Sequence, residues 1–140
     1  MYRRPDDPMA KGICPYHGNC LEGLASGPAI ERRWGRKGVE LSDCLAVWEL
    51  EAYYIGQAIC TYICTLSPER IVVGGGVMHQ EQMLPLIRRE VRRQMHGYIQ
   101  GKGMDQLEEY IVPVSLGDNQ GVMGGVKLAM DAYTEAGGTL

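Results

Sequence analysis

Cys14-Pro15-Tyr16-His17-Gly18-Asn19-Cys20-Leu21-Glu22-Gly23-Leu24-Ala25-Ser26-Gly27-Pro28-Ala29-Ile30 gathers two thiols, an imidazole and a carboxylate on one short stretch of chain. Cys14, His17 and Cys20 recur at every third residue, and Pro15 and Gly18 supply the tight turns that let three donors converge. Sulfur with nitrogen donors suits tetrahedral Zn²⁺, so the stretch reads as a zinc-tied loop. The competing reading is coincidence, two of five cysteines falling beside one of three histidines. A structural zinc normally takes four ligands. Three are local, and the remaining histidines, His79 and His96, are distant in sequence.

The rest of the composition describes an ordinary globular chain. Its 140 residues are about one domain's worth, 45% hydrophobic and 22% charged, with a net charge of −3. That balance argues against a nucleic-acid partner. The one basic cluster, Arg88, Arg89, Arg92 and Arg93, reads as a solvated helix face rather than a phosphate patch. An odd number of cysteines without a secretory signal favours a reducing, cytoplasmic setting. No apolar run approaches the roughly 20 residues a membrane helix needs.

Residues 1–13, with Arg3, Arg4, Pro5, Asp6, Asp7 and Pro8, read as a frayed polar approach segment and a boundary. From 14 to 140 a single α/β unit is expected, with the zinc loop at 14–20. A helix over 21–34 is broken near Gly27-Pro28. Leu45, Trp48, Ala52, Ile55, Ile59, Tyr62, Ile63 and Leu66 recur at helical spacing over 43–66, with Ser42 as N-cap and Ser67-Pro68 as the stop. Cys60 and Cys64, four apart on that helix, are read as small hydrophobes. Ile71-Val72-Val73 runs as a strand into Gly74-Gly75-Gly76, followed by a helix over 81–99. Such a turn lets backbone amides approach a phosphate, with the next helix adding its dipole, although glycine-rich turns also serve geometry alone. A second strand over 110–114 leads through a polar turn, with Asp118 or Asn119 as cap, into a last helix to about 136. Gly124 and Gly125 in that helix suggest close packing on a small, mainly parallel sheet.

The run from Cys14 to Ile30 closely resembles the signature of the ROK family of sugar kinases and repressors, and its Cys-Pro-Tyr-His form is similar to the bacterial fructokinase branch. The resemblance extends over nearly the whole chain and corresponds to the C-terminal half of such a kinase. It implies the C-terminal lobe of an actin/hexokinase-like (RNase-H-like) ATPase fold, acting on fructose or a related hexose with ATP and Mg²⁺. It implies that Glu22 bonds sugar hydroxyls, that Gly74, Gly75 and Gly76 lie beside ATP, and that Cys14, His17 and Cys20 hold a structural Zn²⁺. The polar turn over 115–121 falls on the adenine side. The family's phosphate loop, catalytic aspartate and fourth zinc ligand are expected in a missing N-terminal half, so no catalytic base is expected among these residues. A homodimer is implied too, and the thin sheet leads us to expect exposed apolar surface.

Three readings follow. The chain is part of a fructokinase, inactive by itself; or a zinc-stabilised dimerisation or sugar-binding module; or the sugar-sensing half of a ROK repressor. The last needs a helix-turn-helix, and none is visible.

Overall fold

The computed structural model describes residues 1–101 and 103–138. Its centre is a long helix, α3 (Leu45–Leu66), packed along α4 (Met83–Met95). The two meet through Trp48, Ile59 and Ile63 on one side and Ile87, Val91 and Met95 on the other, all buried. Full burial of each aliphatic side chain contributes about 1.5–3 kcal/mol. Gly56 lets the helices close on each other: a Cβ there would lie 3.0 Å from Glu90 Cβ and 3.2 Å from Gln94 Nε2. Before α3 come α1 (Leu21–Ala25), α2 (Gly27–Trp34) and a 3₁₀ turn, Gly38–Leu41. Trp48 Nε1 donates to the Leu41 carbonyl at 2.8 Å, fixing that turn over the core.

The expected break near Gly27-Pro28 is present, and its cause is Ser26. Its backbone is extended, and its hydroxyl accepts from the Ala29 amide, so α1 ends and α2 starts anew. Ser42 is not the cap of α3. The helix starts two residues later behind Cys44, and the Ser42 hydroxyl instead donates to the Val39 carbonyl. α4 also stops earlier than expected, because His96 adopts φ 46° and its amide closes on the Arg92 carbonyl.

β1 (Ile71–Val73) pairs in parallel with β2 (Ile111–Pro113), Ile71 opposite Ile111, and a short helix α5 (Leu107–Tyr110) feeds β2. The architecture is α/β, with a sheet of two strands among the described residues. Ile111 is fully buried, whereas Val72 is exposed.

Several expectations about side chains change. α6 (Gln120–Glu135) buries none of its residues. Gly124 and Gly125 face open space instead of the sheet, and Val122, Val126 and Leu128 are the exposed apolar surface anticipated from the thin sheet. Neither Asp118 nor Asn119 caps α6 with its side chain. The arginines of α4 are mostly engaged: Arg88 donates to the Ile111 and Glu108 carbonyls, Arg89 pairs with Glu49, and Arg93 with Glu90. The N-terminal segment is not frayed, since Asp7 is buried and Gln57 on α3 bonds both backbone groups of Tyr2.

Candidate functional site

The loop folds back on itself at a bridge between Cys14 and Gly18. The His17 amide points at Cys14 Sγ and the Gly23 amide at Cys20 Sγ, each at 3.4 Å, so Cys20 caps α1 with its thiol. These contacts turn the sulfurs inward. Cys14 Sγ lies 3.8 Å from His17 Nδ1, and the ligand atoms of Cys14, His17 and Cys20 all lie within 4.8 Å of one another. Tetrahedral zinc with its usual bond lengths separates such ligands by roughly 3.5–3.8 Å, so the donors fit the ion with little movement. The backbone bond from His17, with that from Tyr16, lowers the Cys14 thiol to about 7. Among the described residues no fourth His, Cys, Asp or Glu joins the cluster. Cys60 is half-buried, and burial pushes its thiol up to about 11, in keeping with an inert side chain, while Cys64 is exposed.

The loop's flanks touch closely. The Ile13 amide donates to the Gly23 carbonyl at 2.9 Å, and a Cβ on Gly23 would run into the Gly18 carbonyl. Only glycine fits there.

Glu22, on the exposed side of α1, faces a cleft. A cleft of about 440 Å³ is lined by Leu21, Glu22, Ala25, Ile55 and the turn Gly74–Gly76. Gly74 and Gly75 also line a second cleft, of about 520 Å³, whose other wall is Pro113, Val114, Gly117, Asp118 and Gln120. The structure therefore brings Glu22 and Gly74, Gly75 and Gly76 together on one cleft, with the polar turn after β2 across the other. Both open at the carboxyl ends of parallel strands, where α/β sheets bind ligands. Gly75, which lines both clefts, takes φ 101°, a conformation that favours glycine. Gly74 is packed differently, against Val114 and Gln120. One expectation fails: a 3₁₀ turn, Gly76–His79, separates the glycines from α4, so that helix's N-terminus does not abut them. His79 and Asp118 instead join the walls of the second cleft, Nε2 to Oδ1 2.8 Å.

Sequence reasoning missed a buried ionic cluster of Arg33, Asp7 and Glu51. Arg33, Asp7 and Glu51 have fully buried side chains, with Arg33 Nε 2.9 Å from Asp7 Oδ1 and Nη1 2.7 Å from Glu51 Oε1. Burial pushes Asp7 up, but bonds from Tyr54, Met9 and Arg33 outweigh it and hold the carboxyl below its usual range. Burial dominates at Glu51 and, with the Asp7 charge, pushes it up to about 8 in spite of Arg33; its Oε2 has no partner. One guanidinium thus keeps one carboxylate ionised, and that is Asp7. The signal was present in the sequence: Arg33 lies among Ala29, Ile30 and Trp34, and Glu51 among Val47, Trp48 and Tyr54, charges on apolar helix faces.

This cluster sets a pH dependence. Between about 4.5, the ordinary value, and about 8, the folded chain holds a Glu51 proton that the unfolded chain has lost. Unfolding free energy then falls as pH rises through that window. Urea midpoints at about pH 5, 6.5 and 8 should decline in the wild type, with a flatter profile in Glu51→Gln. The same slope in both proteins would contradict the assignment.

The family model described as "ROK family" matches residues 3–132. A Bacillus subtilis (strain 168) protein named "Putative fructokinase" is 51% identical over 131 residues, covering 93% of this chain and 44% of that protein. The fructokinase of Pediococcus pentosaceus is 40% identical over 96% of this chain and 45% of its own length. That of Zymomonas mobilis subsp. mobilis (strain ATCC 31821 / ZM4 / CP4) is 43% identical over 93% and 43%. The chain spans less than half the length of these relatives. With the family model matching residues 3–132 and relatives at 40–51% identity over nearly all of its residues, the chain belongs to the ROK family.

Proposed function

We propose that this chain forms the C-terminal part of an ATP-dependent sugar kinase that phosphorylates fructose or a related hexose, in a lobe of the actin/hexokinase-like kind. The observation that carries the reading is the shared lining of the clefts: Glu22 and the glycine turn on one, the glycine turn and the polar turn after β2 on the other. A sugar against Glu22 and a nucleotide beyond Gly75 would face each other across the turn. Glu22 accepts hydrogen bonds from sugar hydroxyls, and the loop behind α1 holds its direction. Backbone groups at Gly75 and Gly76 approach the phosphates of ATP, and Gln120 and Asp118 border the base. Cys14, His17 and Cys20, with a ligand from outside the described residues, would hold a structural Zn²⁺ that would stiffen the loop, and Mg²⁺ bound with ATP would offset phosphate charge. The base that takes the proton of the sugar hydroxyl is assigned to the portion of the relatives that this chain does not match.

A cytoplasmic setting and a homodimer belong to the same reading. No described helix is long and apolar enough to cross a membrane. The apolar residues displayed by α6 suit a surface that a larger or paired molecule covers.

The test is Glu22→Gln in a chimera carrying this chain in place of the matching stretch of a fructokinase relative. Charge-assisted hydrogen bonds contribute about 1.5–3 kcal/mol each, and about 1.4 kcal/mol is a decade in affinity. The KM for fructose should rise roughly tenfold or more, with the KM for ATP nearly unchanged. An unaltered KM for fructose would remove Glu22 from the sugar site.

A further inference from the structure

Arg33 grips the metal loop at both ends without belonging to it. Its Nε donates to Asp7 Oδ1 at 2.9 Å, on the segment entering the loop. Its Nη2 donates to the Leu24 carbonyl at 2.7 Å, on the helix leaving it. Its Nη1 donates to Glu51 Oε1 at 2.7 Å, on α3. We propose that Arg33 is a positioning residue for the metal loop: by bonding the entering and leaving strands of chain at once, it sets the approach of Cys14 to Cys20 and the direction of Glu22. The proposal rests on the reading of Cys14, His17 and Cys20 as a metal site.

The geometry has two tiers. Nearest the donors, the backbone bond from Ile13 to Gly23 and the bond from the Gly12 amide to Asn19 Oδ1 hold the flanks side by side. Arg33 closes the next tier out, where the flanks would otherwise diverge. Its partner is itself held, because Asp7 accepts from the Tyr54 hydroxyl at 2.6 Å and from the Met9 amide at 2.8 Å. Tyr54 and Glu51 both stand on α3, the helix whose Ile55 lines the cleft with Glu22. The loop is thereby registered against the rigid centre of the fold. A planar guanidinium has donors in fixed directions and can serve three acceptors at once, which an ammonium group on a flexible stem does poorly.

An ion pair that merely stabilised the fold would change metal affinity only as far as it changed folding. A positioning residue makes a sharper distinction. Arg33→Lys and Asp7→Asn disturb the grip on the flanks, whereas Glu51→Gln leaves both flank bonds of Arg33 in place. Cobalt(II) titration of the intact 140-residue chain, followed by thiolate-to-cobalt and d–d absorption, reads the site directly, with urea midpoints measured on each protein. Arg33→Lys should weaken Co²⁺ affinity by roughly 10- to 100-fold, the usual effect of losing a group that orients ligands. Asp7→Asn should weaken it in the same direction and, should the lysine variant not fold, decides alone. Glu51→Gln should hold wild-type affinity wherever its urea midpoint shows it folded under the titration conditions. Wild-type affinity in the flank variants, or an equal loss in Glu51→Gln, would overturn the proposal. No Co²⁺ uptake by the wild type would instead overturn the metal reading beneath it.

Discussion

Cys20→Ser should leave the chain unable to retain metal and much less stable, while α1 still starts in the same place. Serine is a good N-cap, so its hydroxyl can accept from the Gly23 amide as Cys20 Sγ does. The thiolate is what disappears. With two local donors left, the bound ion is lost, and binding free energy in structural zinc sites is also folding free energy, about 10–16 kcal/mol in zinc-finger peptides. We expect about one zinc per wild-type chain purified without chelator and close to none in Cys20→Ser, with a clear fall in melting temperature. Equal metal content and unchanged melting in the two proteins would mean that the cluster of Cys14, His17 and Cys20 binds nothing of consequence.

The second large effect concerns activity. The 140-residue chain alone should give no fructose-dependent ADP formation above background. Phosphoryl transfer depends on holding acceptor, base and phosphates together, and well-oriented groups are equivalent to effective concentrations of about 10⁵–10⁸ M. This chain lines two open clefts and, in our reading, carries no base. Both clefts are open, so nothing here excludes water from a transferring phosphoryl group. Turnover by the isolated chain would require a base among these residues and would undo the division of labour proposed above.

How much of this was readable in the sequence differs by feature. The convergence of Cys14, His17 and Cys20 was, because residue spacing and turn residues are local properties. So were α3 and the strand before the glycines, whose periodicity and β-branched run carry their own signal. Helix ends were less so: His96 terminates α4 by adopting a left-handed conformation, which no propensity of histidine announces. The setting of α6 was misread because its glycines were assigned to packing that needs more neighbours than the described residues provide. The cluster of Asp7, Arg33 and Glu51 escaped for a different reason. Its members lie in three elements, and only the folded chain shows that Arg33 on α2 meets Asp7, Glu51 on α3 and the Leu24 carbonyl of α1. A polar segment such as 1–13 reads as solvated until the buried arginine that pairs with its Asp7 is known.

The central claim is that these residues supply the sugar and nucleotide walls of a ROK kinase, and one assay addresses it. A chimera in which this chain replaces the matching stretch of the Zymomonas mobilis fructokinase, to which it is 43% identical, should be tested for fructose-dependent ADP formation. The account predicts that the chimera phosphorylates fructose and that the isolated chain does not. A chimera that folds, retains its metal and binds ATP, yet leaves fructose unphosphorylated, would contradict it.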